Sequence, residues 1–249
     1  MVKVSVITVT YNCKNSVEKT IESILNQDYS NLELVVVDGA SVDGTQDVIS
    51  RYKNRISKFV SEKDKGIFDA MNKGVKMASG DWVIFMNAGD QFADNSVLSN
   101  LSFLLNDPVN DVVYGAWQLK YRNTIRESKA HPFFAQKGIY KTMGFSHQSS
   151  LVRRTLAEKH PFQIEYRLSA DYKMMWMLYH SLHAKFVSVD FPIAVMEDKA
   201  GFTVSNYKKH LIEECNVCGF ANSLKRKLFV EKKYIVYKVK RLVKSIILR

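Results

Sequence analysis

Two kinds of segment alternate along the first ninety residues of the chain. Short runs rich in β-branched residues are typical of buried strands, and between them apolar residues recur at helical spacing. The pattern predicts strands over residues 3–10, 32–38, 56–61 and 81–86, and helices over 16–27, 43–52 and 66–79. Strands that alternate with short helices predict right-handed βαβ units, and therefore a mostly parallel sheet flanked by helices.

The second half of the chain is less regular. Its pattern predicts a helix over 97–105, a hairpin of 112–121 with 124–129, a strand over 149–153, a helix over 170–183, a strand over 185–191 and a helix over 206–228. No internal repeat and no linker rich in proline or glycine divides the sequence. The simplest organisation is one α/β domain, residues 1–221, followed by a tail, residues 222–249.

Polar residues follow the predicted strands of the first half. The apolar run of residues 83–86 (VIFM) stops at 87–90 (NAGD), the first strand ends in 10–12 (TYN), and the second ends in 38–41 (DGAS). The carboxyl ends of parallel strands share one edge of the sheet, where such folds bind ligands. Turn chemistry explains any one of these clusters. Together they indicate a nucleotide site, in which a carboxylate such as Asp90 can hold a divalent cation against a phosphate.

Composition narrows the class of protein. The chain has 249 residues, of which 46% are hydrophobic and 24% charged, as in ordinary globular domains. Three cysteines do not make a disulfide framework, and Cys215 and Cys218 form a CxxC with no second pair, which argues for a reducing compartment and against zinc. The sequence starts as a strand without a signal-peptide pattern, and no apolar run approaches about 18 residues. We expect a cytoplasmic protein.

The positive charge is concentrated in the tail. Residues 222–249 contain ten basic residues and one acid, a net +9 out of +11 for the whole chain. Apolar residues recur among these lysines at helical spacing: Leu224, Leu228, Ile235, Val239, Leu242, Val243, Ile246 and Ile247. A basic amphipathic helix is typical of a peripheral binder of anionic membranes. The alternatives are a helix that packs on its own domain or on another subunit, and a nucleic-acid binder, although no recognition motif accompanies the charge.

Four blocks in order carry a family resemblance: residues 8–12 (TVTYN), 35–45 (VVVDGASVDGT), 65–83 (KGIFDAMNKGVKMASGDWV) and 85–90 (FMNAGD). They resemble the inverting family 2 glycosyltransferases of the GT-A fold, over a stretch from Val4 to about Ser205. The resemblance implies a Rossmann-like nucleotide-binding domain. It also implies sugar transfer from a nucleotide-diphospho-sugar, with UDP expected, to a hydroxyl of a glycan acceptor. A lipid-linked acceptor in cell-surface polysaccharide biosynthesis would suit a tail bound to the inner face of the cell membrane.

The resemblance also implies roles for residues at the strand ends. Thr10, Tyr11 and Asp38 match the positions that contact the nucleotide base and ribose, and Lys65 and Asp69 match the wall of the same pocket.

A second set of implied roles concerns the metal. Family members usually carry two acids after the fourth strand, one for ribose and one for Mn²⁺ or Mg²⁺. Here Gly89 stands at the first acid and Asp90 at the second, so the metal ligand is present and the ribose carboxylate is not. Asn87 could substitute as a neutral ribose partner.

Residues 169–172 (SADY) resemble the family's catalytic acid motif, which makes Asp171 the candidate general base. Aspartate is also a common helix N-cap, and both roles are compatible. Residues 144–148 (GFSHQ) resemble the segment in which His147 and Gln148 would border the donor sugar or the acceptor. The alternative for His147 is a structural histidine with its hydrogen bonds satisfied.

Two other classes of function compete with this interpretation. A non-catalytic nucleotide-sugar binder or a basic scaffold protein is favoured by the missing acid at Gly89. A nucleotidyltransferase also needs carboxylates and a metal. It would be expected to carry a glycine-rich phosphate loop after the first strand, which residues 10–16 (TYNCKNS) do not provide.

Overall fold

The computed structural model describes residues 1–121, 124–131, 136–137, 140–141, 143–197, 205–220 and 223–247. The strands are β1 Val4–Thr10, β2 Leu32–Asp38, β3 Lys58–Ser61, β4 Trp82–Phe85, β5 Gln91–Phe92, β6 Val112–Tyr121, β7 Thr124–Ser128, β8 Gln136–Lys137, β9 Tyr140–Lys141, β10 Ser150–Arg153 and β11 Phe186–Glu197. The helices are α1 Val17–Leu25, α2 Thr45–Ser50, α3 Ile67–Met77, α4 Val97–Asn106, α5 Arg154–Lys159, α6 Ala170–His180, α7 Tyr207–Val217 and α8 Leu224–Ile247, with a 3-10 turn over His147–Ser149.

One large mixed sheet runs through the molecule in the order β3-β2-β1-β4-β10-β6-β11-β5, with β7 paired to β6. The four strands of the first half are parallel, as predicted. β10 lies antiparallel between β4 and β6, which joins the second half of the chain to the first. In the register of the parallel strands, Thr10 lies opposite Asp38 and Asp38 opposite Ser61. The polar strand ends therefore meet at one edge.

Side chains of alternate residues on the central strands pack into two hydrophobic cores, one on each face of the sheet. Val35 and Val37 face α3, whereas Leu34 and Val36 lie in the core formed with α1 and α4. Every residue of β1 and β4 is buried. Strands covered on both faces are rich in apolar and β-branched residues, which explains why the pattern of the first half identifies them.

The structure corrects two predicted elements of the second half. The helix expected over 206–228 is two helices, because α7 ends at a glycine with a left-handed backbone, Gly219, at φ 80°. The amides of Gly219 and Phe220 bond back to the carbonyls of Asn216 and Cys215, which is the Schellman arrangement of a helix end. The predicted strand over 185–191 also continues to Glu197.

The tail forms helix α8, with Leu224, Leu228, Ile235, Val236, Val239 and Val243 exposed. Its first turns pack on α7 around Leu211, Cys215 and Val230. In the part of the chain that the structure describes, no helix has both the length and the apolar character needed to cross a membrane.

Candidate functional site

A cavity of 710 Å³ lies at the carboxyl edge of β1, β2 and β4; we call it the strand-end pocket. It is lined by Val9, Thr10, Tyr11, Cys13, Gly39, Ala40, Lys63, Asp64, Gly66, Ile67, Ala70, Asn87 and Ala88. Three residues predicted for the nucleotide, Thr10, Tyr11 and Asn87, are therefore in its wall. Tyr11 is 63% exposed, so its ring can offer a face to a base.

Gly39 and Asp64 form the tightest part of this pocket. A Cβ at Gly39 would lie 2.6 Å from a carboxylate oxygen of Asp64 and 3.2 Å from the Tyr11 ring. Only glycine fits there without displacing one of these neighbours. Asp64 also accepts a 2.8 Å hydrogen bond from the amide of Gly66. Sequence reasoning missed Asp64, although it immediately precedes the predicted Lys65.

The predicted Asp38 lies behind the strand-end pocket rather than in its wall. It is fully buried, and its carboxylate accepts hydrogen bonds from the hydroxyls of Thr10 at 3.1 Å, Ser41 at 2.5 Å and Ser61 at 2.6 Å. The amide of Ser41 adds a bond of 2.9 Å. These bonds tie the ends of β1, β2 and β3 together around the Asp38 carboxylate, and the contact of Asp38 with the nucleotide stays a prediction.

The predicted Lys65 and Asp69 are outside the pocket wall as well. The amide of Lys65 donates to the Asp69 carboxylate at 2.9 Å, and the same carboxylate lies 3.8 Å from the ammonium of Lys73. The pair closes the first turn of α3. The lysine in the wall is Lys63 instead.

The turn after β4 explains the glycine at position 89. Gly89 has φ 111°, in the left-handed region that strains any residue with a Cβ, although a Cβ would find space there. The hydroxyl of Thr20 accepts a bond from the Gly89 amide at 2.9 Å and donates to the Asp90 carbonyl at 2.7 Å. An aspartate at position 89 would have to adopt this backbone, so the local fold disfavours the expected acid.

Asp90 and Asn87 present oxygen atoms on either side of this turn. Burial raises the pKa of Asp90 to about 6, against the charge of His147 and a hydrogen bond from Gln148. The Asn87 side-chain oxygen is buried without a hydrogen-bond partner in the described structure. Such an oxygen is costly unless a ligand or ion completes it.

Asp171 occupies the first turn of α6, where the helix dipole favours a carboxylate. Ser169 is the N-cap, so Asp171 does not cap the helix. Its two oxygens accept bonds of 2.8 Å from the amide of Tyr172 and from Nδ1 of His147. Burial alone would raise the pKa of Asp171, but the hydrogen bond and charge of His147 outweigh it, and the pKa is lowered.

His147 and Gln148 link the two predicted acids. His147 bonds to Asp171 through Nδ1, and its charge also acts on Asp90, while Gln148 bonds to Asp90. Burial works against the charged imidazole, yet the two carboxylates raise the pKa of His147. Its Nε2 is buried and has no hydrogen-bond partner among the described atoms. The structure thus brings together Asp90, His147, Gln148 and Asp171, which the sequence predicted separately.

A second cavity, of 420 Å³, opens beside this group; we call it the Asp171 pocket. It is lined by Trp117, Met143, Phe145, Ser146, His147, Asp171, Tyr172, Tyr207, His210, Leu211, Glu214 and Lys233. Sequence reasoning missed the wall contributed by α7 and α8. The spacing of His210 and Glu214, four residues apart on one helix, was the available signal.

Mn²⁺ or Mg²⁺ fits the residues around Asp90. No group of three or more histidine, cysteine or acidic side chains forms a complete metal cage within the described ranges. Mg²⁺-type sites commonly use one or two carboxylates and take their remaining ligands from substrate phosphates and water. The unsatisfied oxygen of Asn87 and nitrogen of His147 beside Asp90 are consistent with a site completed by a ligand.

Comparison with known proteins shows the family of the chain and its fold. The family model Glycosyl transferase family 2 matches residues 5–171. A PGL/p-HBAD biosynthesis glycosyltransferase of Mycobacterium bovis is 30% identical over 173 residues, which span 68% of this chain and 66% of that protein. The Escherichia coli UDP-Glc:alpha-D-GlcNAc-diphosphoundecaprenol beta-1,3-glucosyltransferase WfgD is 26% identical over 244 residues, which span 96% of this chain and 94% of that protein.

Solved structures show the same fold. The mannosyltransferase PcManGT from Pyrobaculum calidifontis, determined with GDP-Man and Mn²⁺, superposes with a TM-score of 0.69 at 21% identity, covering 89% of this chain and 65% of that one. The GT-A architecture expected from the sequence is therefore confirmed.

Proposed function

The chain belongs to glycosyl transferase family 2, and we propose that it moves a sugar from a nucleotide-diphospho-sugar, with UDP as the nucleotide, to a hydroxyl of a lipid-linked glycan. The proposed setting is the assembly of a cell-surface polysaccharide. One observation supports this most directly: Asp90, which follows the pocket-lining residues Asn87 and Ala88 in the same turn, is linked through His147 and Gln148 to Asp171. A residue suited to the diphosphate and a candidate base for the acceptor thus share one site.

The strand-end pocket would hold the nucleotide. Tyr11 offers a ring face to the base, and Asp64 offers a carboxylate to the polar edge of the base or to ribose hydroxyls. Asn87 would place its unsatisfied oxygen near the ribose or the diphosphate. Mn²⁺ or Mg²⁺, held by Asp90, would supply neutralisation of the charge on the departing diphosphate.

Asp171 would act as the general base. Its carboxylate takes the proton from the acceptor hydroxyl as that oxygen forms a bond to the anomeric carbon of the donor sugar. The bond from the anomeric carbon to the diphosphate oxygen breaks on the opposite face, and the electron pair leaves with the nucleotide diphosphate. A single displacement of this kind inverts the anomeric centre. His147 holds the carboxylate in place through its 2.8 Å hydrogen bond.

The tail is proposed to hold the enzyme on the inner face of the cell membrane. Exposed apolar residues on α8 alternate with lysines, and each basic group near an anionic leaflet contributes about 1 kcal/mol. Vesicles that contain anionic lipid should sediment the full chain but not a chain that lacks residues 225–249. Equal sedimentation of both would remove the tail as the anchor.

The direct test is turnover of UDP-sugars with Mn²⁺ present. We expect release of UDP that depends on Mn²⁺, is faster with a lipid-diphosphate-sugar acceptor and is lost in Asp171→Asn. Asp90→Ala should abolish the dependence of UDP affinity on Mn²⁺, which calorimetry measures without any turnover. Donor binding with no turnover on any UDP-sugar would favour a non-catalytic nucleotide-sugar binder instead.

A further inference from the structure

The Asp171 pocket has a wall that comes from the C-terminal helices. Tyr207, His210 and Glu214 of α7 and Lys233 of α8 line it opposite the strands of the main sheet. The helix with the exposed apolar residues and most of the tail charge therefore also borders the catalytic carboxylate.

This wall is attached firmly to the rest of the site. The amide of Leu168, just before α6, donates to the carboxylate of Glu213 on α7 at 2.9 Å. The hydroxyl of Tyr172 lies 2.9 Å from the sulfur of Cys218. Because Tyr172 follows Asp171 directly, these contacts couple α7 to the turn that carries the base.

The two C-terminal helices are joined to each other as well. The rings of Tyr207 and Tyr237 stack with centroids 4.2 Å apart, and Arg226 donates to the side-chain oxygen of Asn216 at 2.7 Å. The side chains of Lys208 and Glu231 form an ion pair. These contacts fix the position of α8 on α7, and with it the position of Lys233 at the pocket.

Lys233 differs in its surroundings from the other basic residues near this pocket. It is the one lysine among the residues that line the pocket, and no ion pair joins it to an acid in the described part of the chain. Its ammonium lies 5.7 Å from the centre of the Phe229 ring, on its own helix. Lys208, in contrast, is neutralised by Glu231.

The charges of the pocket would orient an anionic acceptor. Asp171 and Glu214 place carboxylates in the wall, which disfavour a phosphate near the base, whereas Lys233 favours one on its own side. Trp117, Phe145 and Tyr207 supply aromatic surface of the kind that packs against a sugar ring.

We infer that Lys233 binds the phosphate group that joins the acceptor sugar to its lipid, with the sugar in the Asp171 pocket and the lipid along the exposed face of α8. This inference rests on the proposed function and specifies its acceptor as a sugar linked to a lipid through a phosphate or diphosphate. Lys233 is a binding residue that selects for that linkage.

The test uses farnesyl diphosphate as a soluble probe and farnesol as its uncharged counterpart, with the full chain in detergent-free buffer. Binding is measured by calorimetry with and without UDP and Mn²⁺, so that occupancy of the strand-end pocket is known. Lys233→Ala should weaken farnesyl diphosphate binding about tenfold, the loss expected for one charge-assisted hydrogen bond. Farnesol binding should be unchanged.

Lys232→Ala is the matched control, because Lys232 is an exposed neighbour on the same helix that does not line the Asp171 pocket. It removes the same charge and should change farnesyl diphosphate binding less than twofold. Equal losses in the two variants, or no loss in Lys233→Ala, would overturn the inference and indicate general attraction to the basic helix.

A second measurement separates an acceptor phosphate from a lipid headgroup. Sedimentation with phosphatidylglycerol vesicles should be the same for Lys233→Ala and Lys232→Ala. A specific loss of vesicle binding in Lys233→Ala alone would assign Lys233 to headgroups instead. Failure of UDP to bind would contradict the proposed donor but would leave the farnesyl diphosphate comparison intact.

Discussion

The strand-end pocket and the Asp171 pocket are built in different ways. The first is formed by loops that directly follow β1, β2 and β4 and by the segment leading into α3. The second combines β6, the segment before β10, α6, α7 and α8, elements that lie far apart in the chain. Parallel pairing brings the strand ends that form the first pocket to one edge of the sheet, whereas the second pocket depends on how the helices pack against the sheet.

The two pockets also differ in how their acids are held. Asp38, below the strand-end pocket, has its carboxylate satisfied by neighbouring strand ends. Asp171 relies on His147, which comes from a separate segment. Donor binding should therefore tolerate changes in the C-terminal helices, while turnover should not.

The largest expected effect is on turnover, which depends on the Asp171 pocket, and not on donor binding in the strand-end pocket. Asp171→Asn keeps the shape of the side chain but removes the base, and we expect kcat to fall about a thousandfold, within the range known for general bases. The affinity for UDP, measured by calorimetry with Mn²⁺, should stay within twofold. Turnover near the wild-type rate would show that another group takes the proton.

A smaller effect should follow from loss of the histidine that holds the base. His147→Leu should lower kcat about 30-fold, in line with the loss of a partner that orients a functional side chain. His147→Asn, which can still donate to Asp171, should recover part of that loss. Equal losses of kcat in both variants, at melting temperatures that match the wild type, would show that the hydrogen bond to Asp171 does not support turnover.

The opposite edge of the sheet offers a test in which stability, not turnover, changes. Glu33 is buried, and although burial works to raise its pKa, hydrogen bonds from Lys3, Ser5 and Ser79 lower it to about 2. A depressed pKa adds stability above the unfolded value of 4.5, and that stability is lost as the pH falls towards 2. Glu33→Gln should therefore destabilise the fold at pH 7 by about 2 kcal/mol.

Urea unfolding at a series of pH values measures this effect. The difference between the wild type and Glu33→Gln should be full at neutral pH and should shrink between pH 4.5 and 2. A difference that does not change with pH would mean that packing, and not the charge of Glu33, causes the loss.

The smallest expected effect compares an acid found in the structure with one expected from the sequence. Asp64→Asn should weaken UDP binding about fivefold to tenfold, because Asp64 lines the strand-end pocket. Asp69→Asn is the control, since Asp69 bonds to the Lys65 amide outside the pocket wall, and it should change affinity less than twofold. The reverse ranking would support the predicted contact of Asp69 with the nucleotide.

Much of the fold could be predicted because its signals are local. The bounds of β2 and β6 match their predicted ranges, and the predicted hairpin is present, since Tyr121 pairs with Thr124. The pattern does not predict the break between α7 and α8, because apolar residues recur at helical spacing on both sides of it; among the described residues there, Gly219 has a left-handed backbone. The short strand β5 was missed because two residues carry no period.

In the candidate site, too, the features that local sequence signals predict differ from those that depend on distant parts of the chain. The resemblance to a family motif is what singles out Asp171. The residues alone predict that polar side chains, Asp90 among them, follow the strands at one edge, and they show that positive charge is concentrated in the tail. Each is a property of neighbouring residues, and the strand ends meet because parallel strands have one direction.

Which of these residues share a site depends on the tertiary structure. It links His147 and Gln148 to the two acids, puts Asp64 rather than Asp69 in the wall of the strand-end pocket, and puts Lys233 of the tail in the wall of the same pocket as Asp171. Such placements depend on the packing of helices distant in sequence, and helical or strand periodicity shows only which face is buried. It does not show which other element that face will meet.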